Sequence, residues 1–201
     1  MPSVYDLKPR FQALLRPLVS RLASAGVSAN QVTVVAIALS LGTGAIILSN
    51  PTSHWPLLLL PLALLLRMAL NAIDGMLARE HGMVSALGGM LNELGDVVSD
   101  IALYLPLAFV PALSPALVVL VVLGSVVSEM TGVVGVQIGA SRRYEGPMGK
   151  SDRALWLGAV GAVLGLGVDA APWINGVLVV MVLLLGLTVV NRARGALGEV
   201  G

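Results

Sequence analysis

The stretch Trp55–Arg79, WPLLLLPLALLLRMALNAIDGMLAR, decides the fold class. Its first half is continuously apolar, and its second half carries Arg67, Asn71, Asp74 and Arg79 among further apolar residues. About 20 mostly apolar residues are enough for a helix to cross the hydrocarbon core of a bilayer. The stretch therefore predicts a membrane-spanning helix with polar side chains gathered toward one end.

The composition of the whole chain agrees with this prediction. Hydrophobic residues make up 57% of the 201 residues, charged residues 11%, and the mean hydropathy is +0.92. Soluble domains carry about 25% charged residues, so this surface suits lipid better than water. The chain has no cysteine, which excludes disulfides and thiolate metal sites. The sequence contains no Lys/Arg-rich module with stacking aromatics of the kind that binds nucleic acid.

Six apolar segments are long enough to be membrane spans. We predict an all-α integral membrane protein, a single domain over residues 1–201 whose six-helix bundle covers 28–195. The predicted spans are Asn30–Ser49, Trp55–Arg79, Ala86–Val110, Ser114–Ala140, Asp152–Val168 and Ile174–Asn191.

The first 27 residues lack the continuous apolar run of a cleavable signal. Leucines and Phe11 recur at spacings of three and four, with basic residues between them. This pattern predicts an amphipathic helix lying in the membrane interface. The alternative is a helix packed against its own protein.

Basic residues orient the spans. Every loop on one side contains Lys or Arg, and the loops 50–54, 111–113 and 169–172 contain none. By the positive-inside rule, both termini are cytoplasmic. The loop and terminal cations are Lys8, Arg10, Arg16, Arg21, Arg79, Arg142, Arg143, Lys150, Arg153, Arg192 and Arg194.

Polar side chains concentrate on the second and third predicted spans. Asn71 and Asp74 share one helix face, and Asn92, Asp96 and Asp100 share a face of the next helix. Ionisable residues at membrane depth are costly and usually functional. Converging oxygen ligands suit Mg²⁺. The alternative is an interhelical ion pair, such as Arg67 with Asp74, together with hydrogen bonds from the asparagines.

The spacing of these residues resembles the signature of the CDP-alcohol phosphotransferases, D-x2-D-G-x2-A-R-x8-G-x3-D-x3-D. The chain reads Asp74-Gly75-x2-Ala78-Arg79-x8-Gly88-x3-Asn92-x3-Asp96. Thr33 and the pair Gly149-Lys150 are also similar to family positions. The family consists of six-helix membrane enzymes with an N-terminal interfacial helix, so the resemblance covers nearly the whole chain.

The resemblance implies a function. The family transfers a phosphatidyl group, usually from CDP-diacylglycerol, to an alcohol with release of CMP. Asp96 is then the expected catalytic base, and Mg²⁺ or Mn²⁺, one or two ions, the expected cofactor. The implied metal ligands are Asn71, Asp74, Asn92 and Asp96, and the implied donor-binding residues are Thr33, Gly75, Ala78, Arg79 and Gly88.

The chain departs from the signature at Asn71 and Asn92, which replace aspartates. An amide oxygen still ligates Mg²⁺, but without charge, so one ion becomes plausible in place of two. Glu93 and Asp100 are alternative sources of charge, and Asp96-x3-Asp100 restores the D-x3-D spacing one turn deeper. A further alternative is a catalytically inert homologue that binds CDP-lipid or a partner enzyme.

The basic segment Ser141–Arg153 has two interpretations. It satisfies the positive-inside rule, or it forms a pocket for an anionic or phosphorylated acceptor through Arg142, Lys150 and Arg153. A transporter is disfavoured, because the polar cluster lies at the rim and not at the bilayer midplane. By resemblance we expect a homodimer in the bacterial inner membrane, with the active site facing the cytoplasm.

Overall fold

The computed structural model describes residues 8–201, and within that range every regular element is a helix. A short 3-10 turn at Trp55–Leu58 precedes the third helix, and another at Leu105–Phe109 follows the fourth. The α-helices are α1 (Lys8–Ser24), α2 (Ala29–Ser49), α3 (Leu59–Glu80), α4 (Ala86–Tyr104), α5 (Pro115–Gln137), α6 (Lys150–Gly165) and α7 (Ala171–Val200).

Helices α2 to α7 lie where six spans were predicted, but only part of that prediction is supported by length and composition. In the described part of the chain, four segments are long and apolar enough to cross a membrane: Ala29–Ser49, Trp55–Glu80, Pro115–Gln137 and Trp173–Val200. Helix α4 contains Glu93, Asp96 and Asp100, and α6 has 16 residues. An all-α membrane protein is thus supported, and the count of six spans stays a prediction.

Local sequence signals set the ends of α2, α3 and α4 near the predicted donor-binding residues. Ser28 and Gln31 form a capping box at the start of α2, with Ser28 Oγ accepting from the Gln31 N–H at 3.3 Å. Ser85 Oγ accepts from the Gly88 N–H at 3.0 Å and begins α4. Gly82, with φ 68°, ends α3 and makes the short turn that leads into α4, and both helices pack on α2.

Helix α1 packs on α3. Val19 is fully buried in a small core with Ile73 and Leu77, and Arg16 pairs with Glu80 at 3.0 Å. Leu14 on the same helix is 76% exposed. Helix α1 therefore packs on the protein with one face and exposes an apolar side chain on another. The interfacial position of α1 stays a prediction, and residues 1–7 of the predicted helix lie outside the described residues.

The larger core runs through the middle of the bundle. Leu60, Leu103, Leu178 and Met181 are fully buried there, drawn from α3, α4 and α7. Large apolar side chains such as Leu183 stand exposed on the outside. An apolar exterior of this extent suits a lipid environment.

Helices α2 and α4 approach very closely at Gly44. A Cβ built on Gly44 would lie 1.9 Å from the main-chain oxygen of Ala102. That distance is far inside van der Waals contact and involves backbone, which cannot rotate away. The small residue therefore allows the two helices that flank the polar cluster to pack tightly.

We expect Gly44→Ala to lower the thermal stability of the detergent-purified protein. Overpacking of this kind costs about 1–3 kcal/mol, more than the ~1 kcal/mol that Ala gains over Gly in a helix. Gly42→Ala is the matched control, since a Cβ there meets nothing within 4 Å. Unfolding is followed by loss of the monodisperse fraction on heating, and equal midpoints for the two variants would contradict the packing argument.

The predicted topology can be tested with single cysteines, because the chain has none of its own. If α4 and α6 both cross the membrane, Ser53→Cys, Ala112→Cys and Asp169→Cys react with an impermeant maleimide in intact cells. His81→Cys and Glu145→Cys should react only after permeabilisation. Labelling of Asp169→Cys only after permeabilisation would show that α6 does not cross.

Candidate active site

A cavity of about 300 Å³ opens between α2, α3 and the beginning of α4. Every residue predicted to bind the donor lines it, and so do two of the predicted metal ligands. The lining residues are Ala29, Asn30, Thr33, Asp74, Gly75, Ala78, Arg79, Met83, Val84, Ser85, Gly88, Gly89 and Asn92.

The cavity wall is shaped by hydrogen bonding and by missing side chains. The Thr33 hydroxyl donates to Asp74 Oδ2 at 2.8 Å and fixes that carboxylate. A Cβ on Gly75 would lie 2.9 Å from the Arg79 guanidinium, and one on Gly88 would lie 2.8 Å from Asn30 Oδ1. Glycine at these two positions therefore leaves room for a ligand or for close side-chain approach.

The beginning of α4 adds positive potential to the cavity. The first turn of a helix presents unpaired N–H groups and the positive end of the helix dipole. Ser85, Gly88 and Gly89 belong to this turn or its cap and line the cavity. Together with the Arg79 guanidinium, this arrangement suits phosphate groups.

Asp96 lies one helical turn after Asn92, outside the cavity lining, and its Oδ1 atom is held by three donors. Lys150 Nζ lies 2.5 Å away, Asn71 Nδ2 3.1 Å away and Arg67 Nη2 3.5 Å away. Within residues 8–201 no donor reaches its Oδ2 atom, and the side chain is 25% exposed. Asp96 is therefore a fixed carboxylate with one oxygen available for chemistry.

Asp100 binds two arginines. Arg67 Nη1 donates to its Oδ1 at 2.5 Å and Arg153 Nη2 donates to its Oδ2 at 2.8 Å. The expected alternative pair of Arg67 with Asp74 is wrong, because Asp74 lies two turns farther along the same helix while Asp100 lies across from Arg67 on α4. With both oxygens occupied, Asp100 is poorly placed to replace Asp96 as a metal ligand.

A second carboxylate, Glu129, pairs with Arg153 and with two further arginines. Arg153 Nη2 donates to Glu129 Oε1 at 2.9 Å and Arg142 Nη2 to Oε2 at 3.1 Å, with Arg192 Nη1 at 3.6 Å. Arg142 also binds both oxygens of Glu93, at 3.1 and 2.8 Å. Burial lowers the pKa of Arg142, but the hydrogen bonds and negative charges of Glu93 and Glu129 together outweigh burial and raise the pKa above its usual value.

The three residues predicted to bind the acceptor lie in different surroundings. Lys150 begins α6, is 29% exposed and contacts Asp96. Arg142 is half-buried between Glu93 and Glu129. Arg153 is fully buried, so its side chain has no open face toward solvent. The structure thus brings Lys150 to the candidate base, and acceptor binding by all three stays a prediction.

The predicted metal ligands form an all-oxygen donor set, which suits Mg²⁺ or Mn²⁺. Asp74 and Asn92 line the cavity, and Asn71 contacts Asp96. In the described residues no three His, Asp or Glu side chains come together in a metal-binding group. The two carboxylates would balance one divalent ion, with amide oxygens as neutral ligands.

Sequence reasoning did not find every residue of the site. Ser85 was detectable as a helix N-cap before Gly88, and Asn30 begins the first predicted span. Glu129 was noticed without a partner, since spacing along α5 does not reveal which arginine it meets. Arg192 is buried and donates to the Ser128 carbonyl at 2.6 Å. Nothing in the sequence except its positive charge indicated this role.

The fold and site define a helical membrane protein in which a small cavity, suited to phosphate groups, borders a fixed carboxylate. Residues 26–190 match the family model described as CDP-alcohol phosphatidyltransferase. The chain belongs to this family, and the resemblance drawn from the signature is confirmed.

Two relatives are similar over much of their length. The inner membrane protein YnbA of Escherichia coli (strain K12) is 44% identical over 197 residues, 97% of this chain and 96% of that protein. The archaetidylinositol phosphate synthase of Aeropyrum pernix is 29% identical over 143 residues, 71% of this chain and 70% of that protein.

Solved structures share the fold. The phosphatidylinositol phosphate synthase PgsA1 of Mycobacterium tuberculosis with CDP-DAG bound has a TM-score of 0.77 at 18% identity, covering 92% of this chain and 94% of that one. The same enzyme in complex with manganese and citrate has a TM-score of 0.77 at 19% identity, covering 92% and 90%. At such identities the likeness establishes the architecture.

Because Arg153 pairs two buried carboxylates, we expect Arg153→Met to destabilise the protein strongly. Removing one partner of a buried ion pair costs about 3–5 kcal/mol, since a charge is left uncompensated. The midpoint of thermal unfolding in detergent measures the effect, and Arg194→Met, at an exposed position of α7, is the control. Equal midpoints for the two variants would show that Asp100 and Glu129 do not depend on Arg153.

Proposed function

We propose that the protein transfers a phosphatidyl group from CDP-diacylglycerol to the hydroxyl of an alcohol and releases CMP, in phospholipid biosynthesis. The observation that carries this proposal is the cavity between α2, α3 and α4. Gly75, Ala78, Arg79 and Gly88 line it at signature positions to which the resemblance assigns donor binding, and Thr33 lines it as well.

The donor pyrophosphate would lie against the beginning of α4. Arg79 supplies a guanidinium that can bind phosphate oxygens bidentately. The positive end of the α4 helix dipole, where Ser85 and Gly88 line the cavity, adds to the attraction for phosphate. CDP-DAG bound to a protein of the same fold supports CDP-diacylglycerol as the donor.

The acceptor hydroxyl would be activated by Asp96. Its Oδ1 is held by Lys150 and Asn71, so Oδ2 takes the proton. The acceptor oxygen then forms a bond to the phosphorus that carries the diacylglycerol, and the bond from that phosphorus to the bridging oxygen of CMP breaks. General base catalysis of this kind contributes about 10²–10⁴-fold to the rate.

Asp74 and Asp96, assisted by the amide oxygens of Asn71 and Asn92, are the residues that would hold a divalent cation. When bound, Mg²⁺ or Mn²⁺ would neutralise charge that develops on the departing phosphate. We propose one ion, since two carboxylates compensate one double charge. The manganese complex of PgsA1 supports a metal requirement in this fold.

The acceptor would approach Asp96 beside Lys150, with Arg142 and Arg153 behind it. Its hydroxyls and the donor would meet at the cytoplasmic face, where the basic loops were predicted to lie. A location in the bacterial inner membrane is supported by the name of the YnbA relative. We also propose that the protein is a homodimer, as the resemblance implies.

A catalytically inert protein that binds CDP-lipid is the alternative, and Asn71 and Asn92 motivate it. The ordered contacts at Asp96 favour the enzyme, because an inert protein has no need of a carboxylate held by three donors. The inert alternative predicts binding of CDP-diacylglycerol without CMP release under any metal.

We expect Asp96→Ala to reduce CMP release at least 100-fold while CDP-diacylglycerol still binds, because the donor cavity is unchanged and the base is lost. Asp74→Ala should abolish release, since a carboxylate of the cavity itself is removed. CMP release by purified protein with Mg²⁺ or Mn²⁺ and a panel of acceptors measures both.

Asp169→Ala, in the loop between α6 and α7, is the control and should keep wild-type activity. Turnover by Asp96→Ala at the wild-type rate would overturn the assignment of the base. Binding of the donor by wild type with no CMP release would favour the inert alternative.

A further inference from the structure

The arginines behind Asp96 are already occupied by carboxylates of the same chain. We propose that Glu129 fills the place a phosphate would take, so that the acceptor is an alcohol without a phosphate group. The inference rests on the proposed transfer reaction and names the class of its acceptor.

Glu129 is the meeting point of three arginines that come from different parts of the chain. Arg153 lies on α6, Arg192 on α7 and Arg142 in the segment between α5 and α6. Their guanidinium nitrogens lie 2.9, 3.6 and 3.1 Å from the Glu129 carboxylate. Convergence of several arginines on one oxyanion is the arrangement that recognises a phosphate.

Most of the remaining donors of these arginines are also engaged, and the buried Nε of Arg153 has no hydrogen-bond partner among the described residues. Arg142 binds both oxygens of Glu93, and Arg153 binds Asp100. Arg192 donates to three main-chain oxygens, those of residues 128, 144 and 145. Arg153 and Arg192 are 0% and 1% exposed, so neither can turn outward to meet a new anion.

The four arginines of this cluster are compensated before any ligand arrives. They pair with four carboxylates, and Lys150, which also pairs with Asp96, leaves one net positive charge. The arginines and carboxylates of the cluster are Arg67, Arg142, Arg153, Arg192, Glu93, Asp96, Asp100 and Glu129.

A phosphomonoester carries a charge of about −1.5 to −2 at neutral pH. It would enter beside Glu129 and Asp96 with only Lys150 as a further cation, and Lys150 already contacts Asp96. Repulsion by the two carboxylates and the cost of removing the phosphate from water both oppose its binding.

An alcohol without phosphate meets no such penalty. Its hydroxyls can donate to carboxylate oxygens of Glu93 or Asp96 and accept from Lys150. The side chains of Glu93 and Lys150 are 37% and 29% exposed, so a small solute can reach them. The same carboxylates would also favour an amine on the acceptor.

The test compares matched acceptors that differ by one phosphate. CMP release from CDP-diacylglycerol is measured for the full-length protein in detergent with Mg²⁺ or Mn²⁺. The pairs are glycerol and glycerol 3-phosphate, and inositol and inositol 1-phosphate, in which the phosphorylated partner keeps a free hydroxyl. We expect kcat/KM for the used acceptor to exceed that of its phosphorylated partner at least tenfold.

Glu129→Gln removes the charge but keeps the size of the side chain. It should shift the ratio of kcat/KM at least tenfold toward the phosphorylated partner, because the carboxylate on which three arginines converge is then replaced by a neutral amide. In the same variant, inorganic phosphate should raise the thermal midpoint, and it should not do so in wild type. Glu199→Gln, near the C-terminal end of α7, is the control and should keep the wild-type ratio.

If Glu129→Gln does not fold, Glu93→Gln gives the second test, since it removes one of the two carboxylates that bind Arg142 and should shift the ratio in the same direction. A wild-type preference for a phosphorylated acceptor overturns the inference and leaves the proposed function standing. An unchanged ratio in a folded Glu129→Gln variant overturns it as well. If no acceptor of either kind leads to CMP release, the proposed function is overturned, and the inference falls with it.

Discussion

Asp100 joins three helices through its two oxygens, with Arg67 of α3 on one and Arg153 of α6 on the other. None of these side chains is more than 4% exposed. Each charge is tolerable at this depth only because the others are present. Arg153 continues the chain of ion pairs to Glu129 on α5, and Arg192 brings in α7. The position of every helix from α3 to α7 is thereby tied to one set of charges.

The candidate site depends on this arrangement through Asp96. Arg67 binds both Asp100 and the main-chain oxygen of Asp96, the latter at 2.9 Å. Helix α4 presents Asn92, Asp96 and Asp100 one turn apart, so the same face borders the cavity, carries the candidate base and enters the buried ion pairs. A shift of α4 along its axis would disturb all three together.

The sequence predicted what depends on spacing within one helix and missed what depends on which helix lies opposite. The residues Thr33, Gly75 and Gly88 line one cavity, as a motif with fixed spacing and a short turn would require. The partner of Arg67 was predicted wrongly, because several carboxylates lie within reach and the packing of α3 and α4 on α2 selects among them. The pairing of Glu129 needed the relative positions of α5, α6 and α7, which hydrophobic periodicity does not give.

The short, charged helices α4 and α6 have a consequence for biogenesis. Entering lipid alone, α4 would expose Glu93, Asp96 and Asp100, at an insertion cost of about 2.5–3.5 kcal/mol for a charge at the helix centre. The compensating cations lie on α3, on α6 and in the segment before α6, and those after α4 are synthesised later. Helix α4 would therefore be retained beside the translocon, or at the membrane surface, until its partners emerge. Insertion and tertiary folding of this part of the chain would then be a single event.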